Sequence, residues 1–345
     1  MFSFDQLKYP LIQAPMAGGP NTPEMVSSVI NAGAVGSYGF AYSNAETIES
    51  DIRAARSMLS SDHSGALNVN FFIFAPVEKP APDVVDAALA DLRDASIYDI
   101  DLIEPVPPYY PDLSTQLQPV WQLRPEILTF HFGIPDRAII DRAHALDIAV
   151  GITATCVNEA RQIEQAGADF IVAQGIEAGG HRGIFRASNP DAQLPCSALI
   201  ESLAKQAGIP LVGAGGIMNA EQVQNIRALG ATAVQMGTAF LTTTDSGASK
   251  AHRNYLLNES ERSAELTLGF SGRPARGIHN QFIERMKNKA TLPFPLQNSL
   301  TAKMRAQALS QNEGEFQSLW AGANFRQCQA ESITALLKRV FEHGT

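Results

Sequence analysis

Short apolar runs alternate with amphipathic, helix-like segments along most of the chain. Strands that are apolar over their whole length are typical of a parallel sheet covered by helices. Eight such runs favour a (β/α)8 TIM barrel of the α/β class over an open doubly wound sheet. The doubly wound fold also expects G-x-G-x-x-G after its first strand, and residues 14–20, APMAGGP, do not match that motif. The predicted strands are 11–17, 34–39, 67–72, 127–133, 148–155, 170–175, 210–215 and 233–238.

Capping residues and a weak internal repeat support this interpretation. Thr22, Asn44 and Asn219 each stand directly before a helical pattern, where an N-cap is expected. Residues 31–39, 165–175 and 228–237 each contain a helix-ending Gly, then Ala, then a strand that ends in Gly. The first Gly suits a left-handed helix C-cap, and the last allows a sharp turn over the mouth of the barrel.

Two segments depart from the barrel pattern. Residues 75–115 are rich in Pro around one predicted helix, and residues from about 245 to 300 are polar and helical. We interpret 76–115 and 245–300 as insertions that form a smaller, mainly helical lid or substrate domain. Residues 1–75, 116–244 and 301–345 are then predicted to form the barrel domain, with the last helices packed back on the barrel.

Composition narrows the class of protein. The chain has 345 residues, of which 45% are hydrophobic, so it can bury a large core. A net charge of −9 argues against a broad surface for nucleic acid or anionic membrane. Three scattered cysteines, no secretory signal and no long apolar run predict a cytoplasmic protein without a membrane span. No H-x-H or H-E-x-x-H pair is present, so no metal site is expected.

The active site of a TIM barrel lies where the strands end. The seventh and eighth predicted strands end in GAGGI (213–217) and QMGT (235–238), where many barrels bind phosphate. Glycine-rich turns let backbone N–H groups converge on an anion, and a following helix N-terminus adds a favourable dipole. We therefore predict a nucleotide-like phosphate at this rim, such as that of FMN. The alternative is that these glycines only relieve crowding in tight turns.

Two histidines lie near predicted strand ends. His181 lies in the glycine-rich segment 175–183, for which a mobile or closely approaching backbone is expected, and it could take a proton near neutral pH. Arg182 beside it could hold an anion. His131, within TFHFG, has a competing interpretation as a core histidine, and a lone loop histidine is more often simply solvated. The histidines without a predicted role are His63, His144, His252, His279 and His343.

Three further residues are weaker candidates. Tyr109 and Tyr110 lie in the Pro-rich insertion, and tyrosines on a lid can shield a flavin or hydrogen-bond a substrate anion. Ordinary loop packing beside proline is the alternative. Lys303 follows the segment LQNSLTA, and by composition alone it is a surface lysine.

Several motifs also occur together in one order over residues 10–310. They are QAPMAGG (13–19), VNFF (69–72), TFHFG (129–133), QGIEAGGHRG (174–183), GAGGI (213–217), QMGT (235–238) and PLQNSLT (295–301). In this order they resemble the class I nitronate monooxygenases, formerly called 2-nitropropane dioxygenases. The resemblance implies FMN at the barrel mouth and oxidation of propionate 3-nitronate and alkyl nitronates by O2, without a need for NAD(P)H. One-electron transfer to the flavin is implied, with a carbonyl product and nitrite or nitrate.

The resemblance also implies roles for individual residues. His181 and His131 resemble the active-site histidines, and Tyr109 and Lys303 resemble substrate-side residues. His181 is expected to orient the nitronate by hydrogen bonding and to act as a base only for neutral nitroalkanes. Phe294 stands where the family often has Tyr, so a hydroxyl beside the substrate is expected to be missing. The implied flavin contacts are Met16 and Ala17 against the isoalloxazine ring, with Asn70, Gln174, Gly179, Gly180, Gly215, Gly216, Gln235, Met236, Gly237 and Thr238.

The expected partners are a small nitronate and O2, and the protein is expected to be a monomer or a homodimer. One competing function is that of an FMN-dependent NAD(P)H reductase of the enoyl-acyl-carrier-protein or quinone reductase type. TFHFG and the PLQN segment favour the oxygenase. A non-redox phosphate-binding barrel also remains open, and the phosphate loops fit it equally well. A catalytically silent binding barrel is the third competing possibility.

Overall fold

The computed structural model describes residues 2–186 and 189–342. His343 and both ends of the predicted barrel domain, Met1 and residues 343–345, lie outside the described residues. Eight parallel strands close into a barrel in the order β1-β2-β3-β4-β5-β6-β8-β9, and β1 pairs with β9 to complete it. The predicted TIM barrel is therefore confirmed. The strands are β1 (Leu11–Gln13), β2 (Val35–Gly39), β3 (Ala66–Phe72), β4 (Ile127–His131), β5 (Ala149–Ala154), β6 (Phe170–Gln174), β7 (Gly180–His181), β8 (Leu211–Ala214), β9 (Ala233–Met236), β10 (Ala264–Thr267) and β11 (Ala275–Ile278).

Helices follow most of the barrel strands, and three of them have the N-caps expected from the sequence. Thr22, Asn44 and Asn219 accept hydrogen bonds from Met25, Thr47 and Gln222 N–H at 3.0, 2.8 and 3.0 Å. The α-helices are α1 (Pro23–Asn31), α2 (Ala45–Ser57), α3 (Pro82–Ala95), α4 (Leu113–Gln116), α5 (Gln118–Leu123), α6 (Arg137–Ala145), α7 (Val157–Ala166), α8 (Cys196–Ala204), α9 (Ala220–Ala228), α10 (Lys250–Asn258), α11 (Gln281–Arg285), α12 (Leu296–Leu300), α13 (Ala302–Ser310) and α14 (Ile333–Phe341). Short 3-10 helices occupy Phe4–Gln6, Thr238–Phe240, Gly314–Phe316 and Phe325–Gln327.

The main core lies between the barrel strands and the surrounding helices. Val69, Val150 and Ile171 of the strands are fully buried there, together with Leu336 and Leu337 of α14. The last helix, α14, therefore packs on the barrel. Gly167 ends α7 in the left-handed conformation at φ +86°, which is the expected C-cap geometry. Among the described helices, none is long and apolar enough to cross a membrane.

A small antiparallel sheet forms outside the barrel, in the order β10-β11-β7. Two strands that the sequence analysis does not predict, β10 and β11, lie within the mainly helical segment 245–300. Strand β7 pairs Ala275 with His181 and Arg276 with Gly180. The glycine-rich segment around His181 is thus held by strand pairing rather than being a mobile loop. Short polar strands of this kind have little pattern of their own and form because a partner strand is present.

A second hydrophobic cluster lies beside the barrel. It joins buried residues of α3 with others from residues 270–316. Leu92 of α3, Phe282 of α11, and Met304 and Ala308 of α13 are all buried in it. The two segments that interrupt the barrel pattern therefore pack against each other, and α13 packs with them.

Candidate active site

The loops at the carboxyl ends of the barrel strands surround a cavity of about 610 Å³. Cavities of several hundred cubic ångströms are typical of cofactor and substrate sites. Both predicted active-site histidines and every predicted flavin contact line this cavity. These residues are His131, His181, Met16, Ala17, Asn70, Gln174, Gly179, Gly180, Gly215, Gly216, Gln235, Met236, Gly237 and Thr238. Tyr109 and Lys303 are not part of the cavity wall: Tyr109 packs against the second cluster and Lys303 is solvent-exposed.

One rim of the cavity is formed by backbone rather than by side chains. Gly215 and Gly216 follow β8 with φ angles of +120° and +69°, which side chains rarely tolerate. A Cβ on Gly216 would approach Cβ of Glu177 to 2.9 Å. Helix α9 begins shortly after, capped by Asn219. A glycine turn leading into a helix N-terminus is a suitable place for an anionic group.

Neutral amides lie deeper in the cavity. Asn70 donates to Thr129 Oγ1 at 2.9 Å, and its Oδ1 accepts no hydrogen bond from the described part of the chain. Gln174 is already bound within the protein, because Nε2 donates to the His181 carbonyl at 3.0 Å and Oε1 accepts from Gly183 N–H at 2.8 Å. Asn70 thus has an acceptor free for a bound molecule, whereas Gln174 positions the His181 segment.

His181 is held by two hydrogen-bonded contacts. Its carbonyl accepts from Gln174, and its Nε2 lies 2.9 Å from Ser271 Oγ. Ser271 is buried and gives its proton to the Arg273 carbonyl at 3.1 Å, so its oxygen accepts from Nε2–H. Nδ1 is therefore the unprotonated nitrogen of the neutral ring and is free to accept a proton or a hydrogen bond.

The pKa values of both predicted active-site histidines are lowered, which favours the neutral imidazole at pH 7. Burial lowers the pKa of His131 to about 3, helped by the positive charge of Arg273. Burial likewise lowers the pKa of His181 to about 3, with contributions from His131, Arg273 and Arg305. His131 Nε2 lies 3.3 Å from the His181 carbonyl, which orients its ring. A neutral imidazole can act as a proton acceptor without first losing a proton.

Arg182 does not have the role expected from the sequence. Its side chain is fully buried, and Nε and Nη2 bind the two carboxylate oxygens of Asp191 at 2.8 and 3.0 Å. Nη1 donates to the carbonyls of Gln174 and Gly175. All of its donor groups are engaged within the protein, so Arg182 is not available for an external anion and instead stabilises the segment that carries His181.

Aromatic rings surround His181. Phe132, Phe294 and Trp320 have ring centroids 5.7, 5.5 and 5.6 Å from the imidazole. Phe294 also stacks on Phe74 at 5.6 Å. Phe294, which lacks the hydroxyl that a tyrosine would have, therefore lies next to the predicted active-site histidine. Apolar rings in this position exclude water and strengthen the electrostatic interactions of bound groups.

Two charged or titratable residues of the cavity wall are not identifiable from the sequence. Arg305 of α13 and His252 of α10 both line it. Burial lowers the pKa of His252 to about 4, and its Nε2 lies 3.1 Å from the Trp320 carbonyl. Neither residue stands at a predicted strand end, where a barrel sequence signals its active-site groups. In the sequence, Arg305 follows Thr301 by four residues, which places both on one face of a helix. This spacing is too common to indicate a functional site.

Comparison with known proteins agrees with this architecture. A family profile described as nitronate monooxygenase matches residues 2–343. Proteins named probable nitronate monooxygenase from Staphylococcus haemolyticus and Staphylococcus aureus are each 36% identical, over 97% of this chain and 94% of theirs.

Solved structures show the same relationship. Nitroalkane oxidase from Streptomyces ansochromogenes superposes with a TM-score of 0.90 at 33% identity, over 98% of this chain and 96% of that one. FabK from Thermotoga maritima has a TM-score of 0.74 at 20% identity, over 98% of this chain and 93% of that one, and shares the fold. The match of the profile over nearly the whole length, together with these relatives, shows that the chain belongs to the nitronate monooxygenase family of enzymes.

Proposed function

We propose that the protein binds FMN and oxidises nitronates with O2, giving a carbonyl product with nitrite or nitrate. Propionate 3-nitronate and alkyl nitronates are the proposed substrates. One observation carries the proposal: a single cavity combines a glycine rim, a pair of histidines with lowered pKa values and an arginine that has no carboxylate partner among the described residues. The glycine rim suits a phosphate, and the positive charge suits an anionic substrate. The names of the relatives support the same reaction.

The residues of the cavity fit a flavin nucleotide. Gly215 and Gly216 form a turn that a residue with a Cβ would strain, so their backbone can approach a bound group closely. The N-terminus of α9, which follows this turn, favours the negative charge of a phosphate. Asn70 offers a free acceptor, and Met16 offers an apolar surface for a ring. When bound, a flavin supplies a one-electron acceptor that O2 reoxidises, so no external reductant is consumed.

The protein's own contribution is orientation, charge and exclusion of water. A nitronate is already a stabilised carbanion, so its oxidation needs no strong base. The neutral ring of His181 gives its N–H to Ser271 and keeps Nδ1 as an acceptor. This geometry supports His181 as the base that removes a carbon-bound proton when the substrate is a neutral nitroalkane. For nitronates, the positive charge of Arg305 in the cavity wall supplies the attraction.

The test has two measurements on the purified protein. The first is the visible absorption spectrum after reconstitution with FMN, where a bound flavin is expected. The second is oxygen uptake and nitrite formation with propionate 3-nitronate. A colourless protein would favour a non-redox phosphate-binding barrel. A yellow protein that NADH bleaches rapidly in the absence of oxygen, and that does not turn over nitronates, would instead be a reductase.

A further inference from the structure

The cavity wall contains one charged side chain among the described residues, although the chain as a whole is acidic. Asp, Glu and Lys are absent from that wall, and Arg305 is its charged member. The net charge of the chain is −9. An arginine that lines a cavity without a carboxylate partner lacks the usual compensation for its burial. An anion from outside the protein can provide that compensation.

The guanidinium of Arg305 is held from one side only. Nε donates to Thr301 Oγ1 at 3.2 Å, and Nη2 donates to the carbonyl and Oδ1 of Asn298 at 2.7 and 3.0 Å. Within the described ranges, Nη1 has no hydrogen-bond partner. Neutral groups thus fix the orientation of the side chain, and one edge of the planar donor group is left free to bind an oxyanion.

No carboxylate neutralises this charge within the part of the chain that the structure describes. Burial lowers the pKa of Arg305, and the group that raises it is the phenol of Tyr42. Arginine stays protonated at neutral pH even after such a shift. The charge of Arg305 also lowers the pKa of His181, so the two side chains act on the same space.

The part of the cavity wall around Arg305 is open to solvent. Its neighbours Ala302, Ala306 and Leu309 are solvent-exposed, and so is Tyr42. The histidine rings are in contact with aromatic side chains. Because Arg305 and His181 line the same cavity, a substrate whose reacting end contacts His181 has room to place its other end against Arg305.

We infer that Arg305 is the specificity-determining residue that selects nitronates whose tail ends in a carboxylate. The inference rests on the proposed function and assigns to Arg305 the role that resemblance implies for Lys303. A carboxylate at the tail would accept hydrogen bonds from the free edge of the guanidinium. An alkyl nitronate of similar length has no group to place there.

The kinetic test compares propionate 3-nitronate with propyl-1-nitronate. The measured quantity is the ratio of their kcat/KM values in the wild type, R305M, R305K and K303M. Loss of a charge-assisted hydrogen bond predicts that R305M lowers the ratio by about 10- to 100-fold. R305K is expected to restore part of it. If K303M lowers the ratio and R305M does not, or if R305M reduces both substrates equally, the inference is wrong.

A binding measurement separates this inference from the proposed function. Succinate and butyrate are unreactive probes with and without a second carboxylate, and calorimetry gives their Kd values for the flavin-loaded protein. The wild type is expected to prefer succinate, and R305M is expected to lose that preference while keeping its flavin. If the wild type takes up no oxygen with either nitronate, the proposed function fails, and the preference for succinate still decides the role of Arg305. Equal Kd values for the two probes in the wild type would overturn the inference.

Discussion

The two sides of the cavity are built in different ways. On the barrel side, the groups that face the cavity are backbone atoms and neutral amides in or directly after the last residues of β3, β6, β8 and β9. On the opposite side, the side chains of Arg305 and Trp320 line the cavity, and Ser271 and Phe294 contact His181 from the same distant part of the sequence. We call the barrel side, with Gly215, Gly216 and the amides at the strand ends, the cradle. The opposite side carries the charge of Arg305, an aromatic surface and Ser271, the hydrogen-bond partner of His181.

This difference indicates that the two sides of the cavity have different functions. A backbone cradle recognises a group that every relative with the same cofactor would bind. Side chains from segments outside the barrel strands can change without disturbing the barrel, so they are suited to setting the substrate. Substitutions on the opposite side are therefore expected to change turnover or selectivity, and substitutions in the cradle to change flavin binding.

The largest effect is expected from His181→Asn, the residue that the side chains of the opposite side contact. The variant loses the basic Nδ1, so kcat/KM for neutral nitroethane should fall by about 100-fold or more, as is usual for removal of a general base. Ethyl nitronate is already deprotonated and should lose less than about tenfold on the same grounds. Oxygen uptake with each substrate gives both numbers.

His252→Asn is the matched control, because His252 is also a buried neutral histidine of the cavity wall. It should not discriminate between the two substrates. An equal loss of both substrates in the His181→Asn variant would show that His181 only orients them.

The next largest effect is expected from Gly216→Ala in the cradle. The added Cβ meets Glu177 and occupies a left-handed backbone position, so the affinity for FMN should fall by about tenfold, since such a position costs a side chain about 1–2 kcal/mol. Fluorescence titration of the apoprotein with FMN measures it. Gly167→Ala has the same left-handed strain at φ +86° but lies at the end of α7, outside the cavity. Equal flavin losses in both variants would show that the cradle has no special part in flavin binding.

The barrel and its cradle could be predicted because their signals are local. An apolar run of strand length, a capping Asn or Thr and a glycine turn each occupy consecutive residues, and the barrel fold then fixes where the strands end. Gly215 and Gly216 are identifiable in this way. The positions of β10 and β11 are not, because these short strands pair with each other and β11 also pairs with the distant β7.

The opposite side could not be predicted because its contacts join distant parts of the chain. Ser271 lies 90 residues after His181, and Arg305 depends on the packing of α13 over the cavity. Arg182 shows the converse: its position beside His181 suggests anion binding, but the partner Asp191 is recognisable only in the folded protein. The domain boundaries and the roles of Tyr109 and Lys303 stay predictions.

A smaller effect is expected from Ser271→Ala. Without the hydroxyl, Nε2–H has no acceptor and the His181 ring is free to turn, so kcat/KM for nitroethane should fall by about tenfold, in line with a lost hydrogen bond of about 1–1.5 kcal/mol. Flavin content should not change, since Ser271 belongs to the opposite side. Ser249→Ala is the control, because Ser249 lines the cavity but binds Gln317 rather than His181. If the two alanine variants behave alike, Ser271 has no special relation to His181.

The smallest effect concerns the stability of the protein at acid pH. It tests the contribution of His252 apart from those of His131 and His181. Its pKa of about 4 in the folded protein lies below the usual value of 6.5. The unfolded chain therefore binds the extra proton first, and the stability that neutral His252 contributes above pH 6.5 is lost as the pH falls toward 4. His252→Gln keeps a donor for the Trp320 carbonyl but cannot take a proton there.

The Tm of the wild type should consequently fall more steeply between pH 6.5 and 4 than that of His252→Gln, by roughly 2–5 °C for a chain of this size. Calorimetric scans across this pH range measure the difference. Parallel curves would mean that His252 titrates normally and that its burial against Trp320 does not persist in solution. Steeper loss in the wild type would leave His131 and His181 as the other histidines of the described cavity wall with lowered pKa values, and the same scans on His181→Asn would then show how much of the remaining slope belongs to His181.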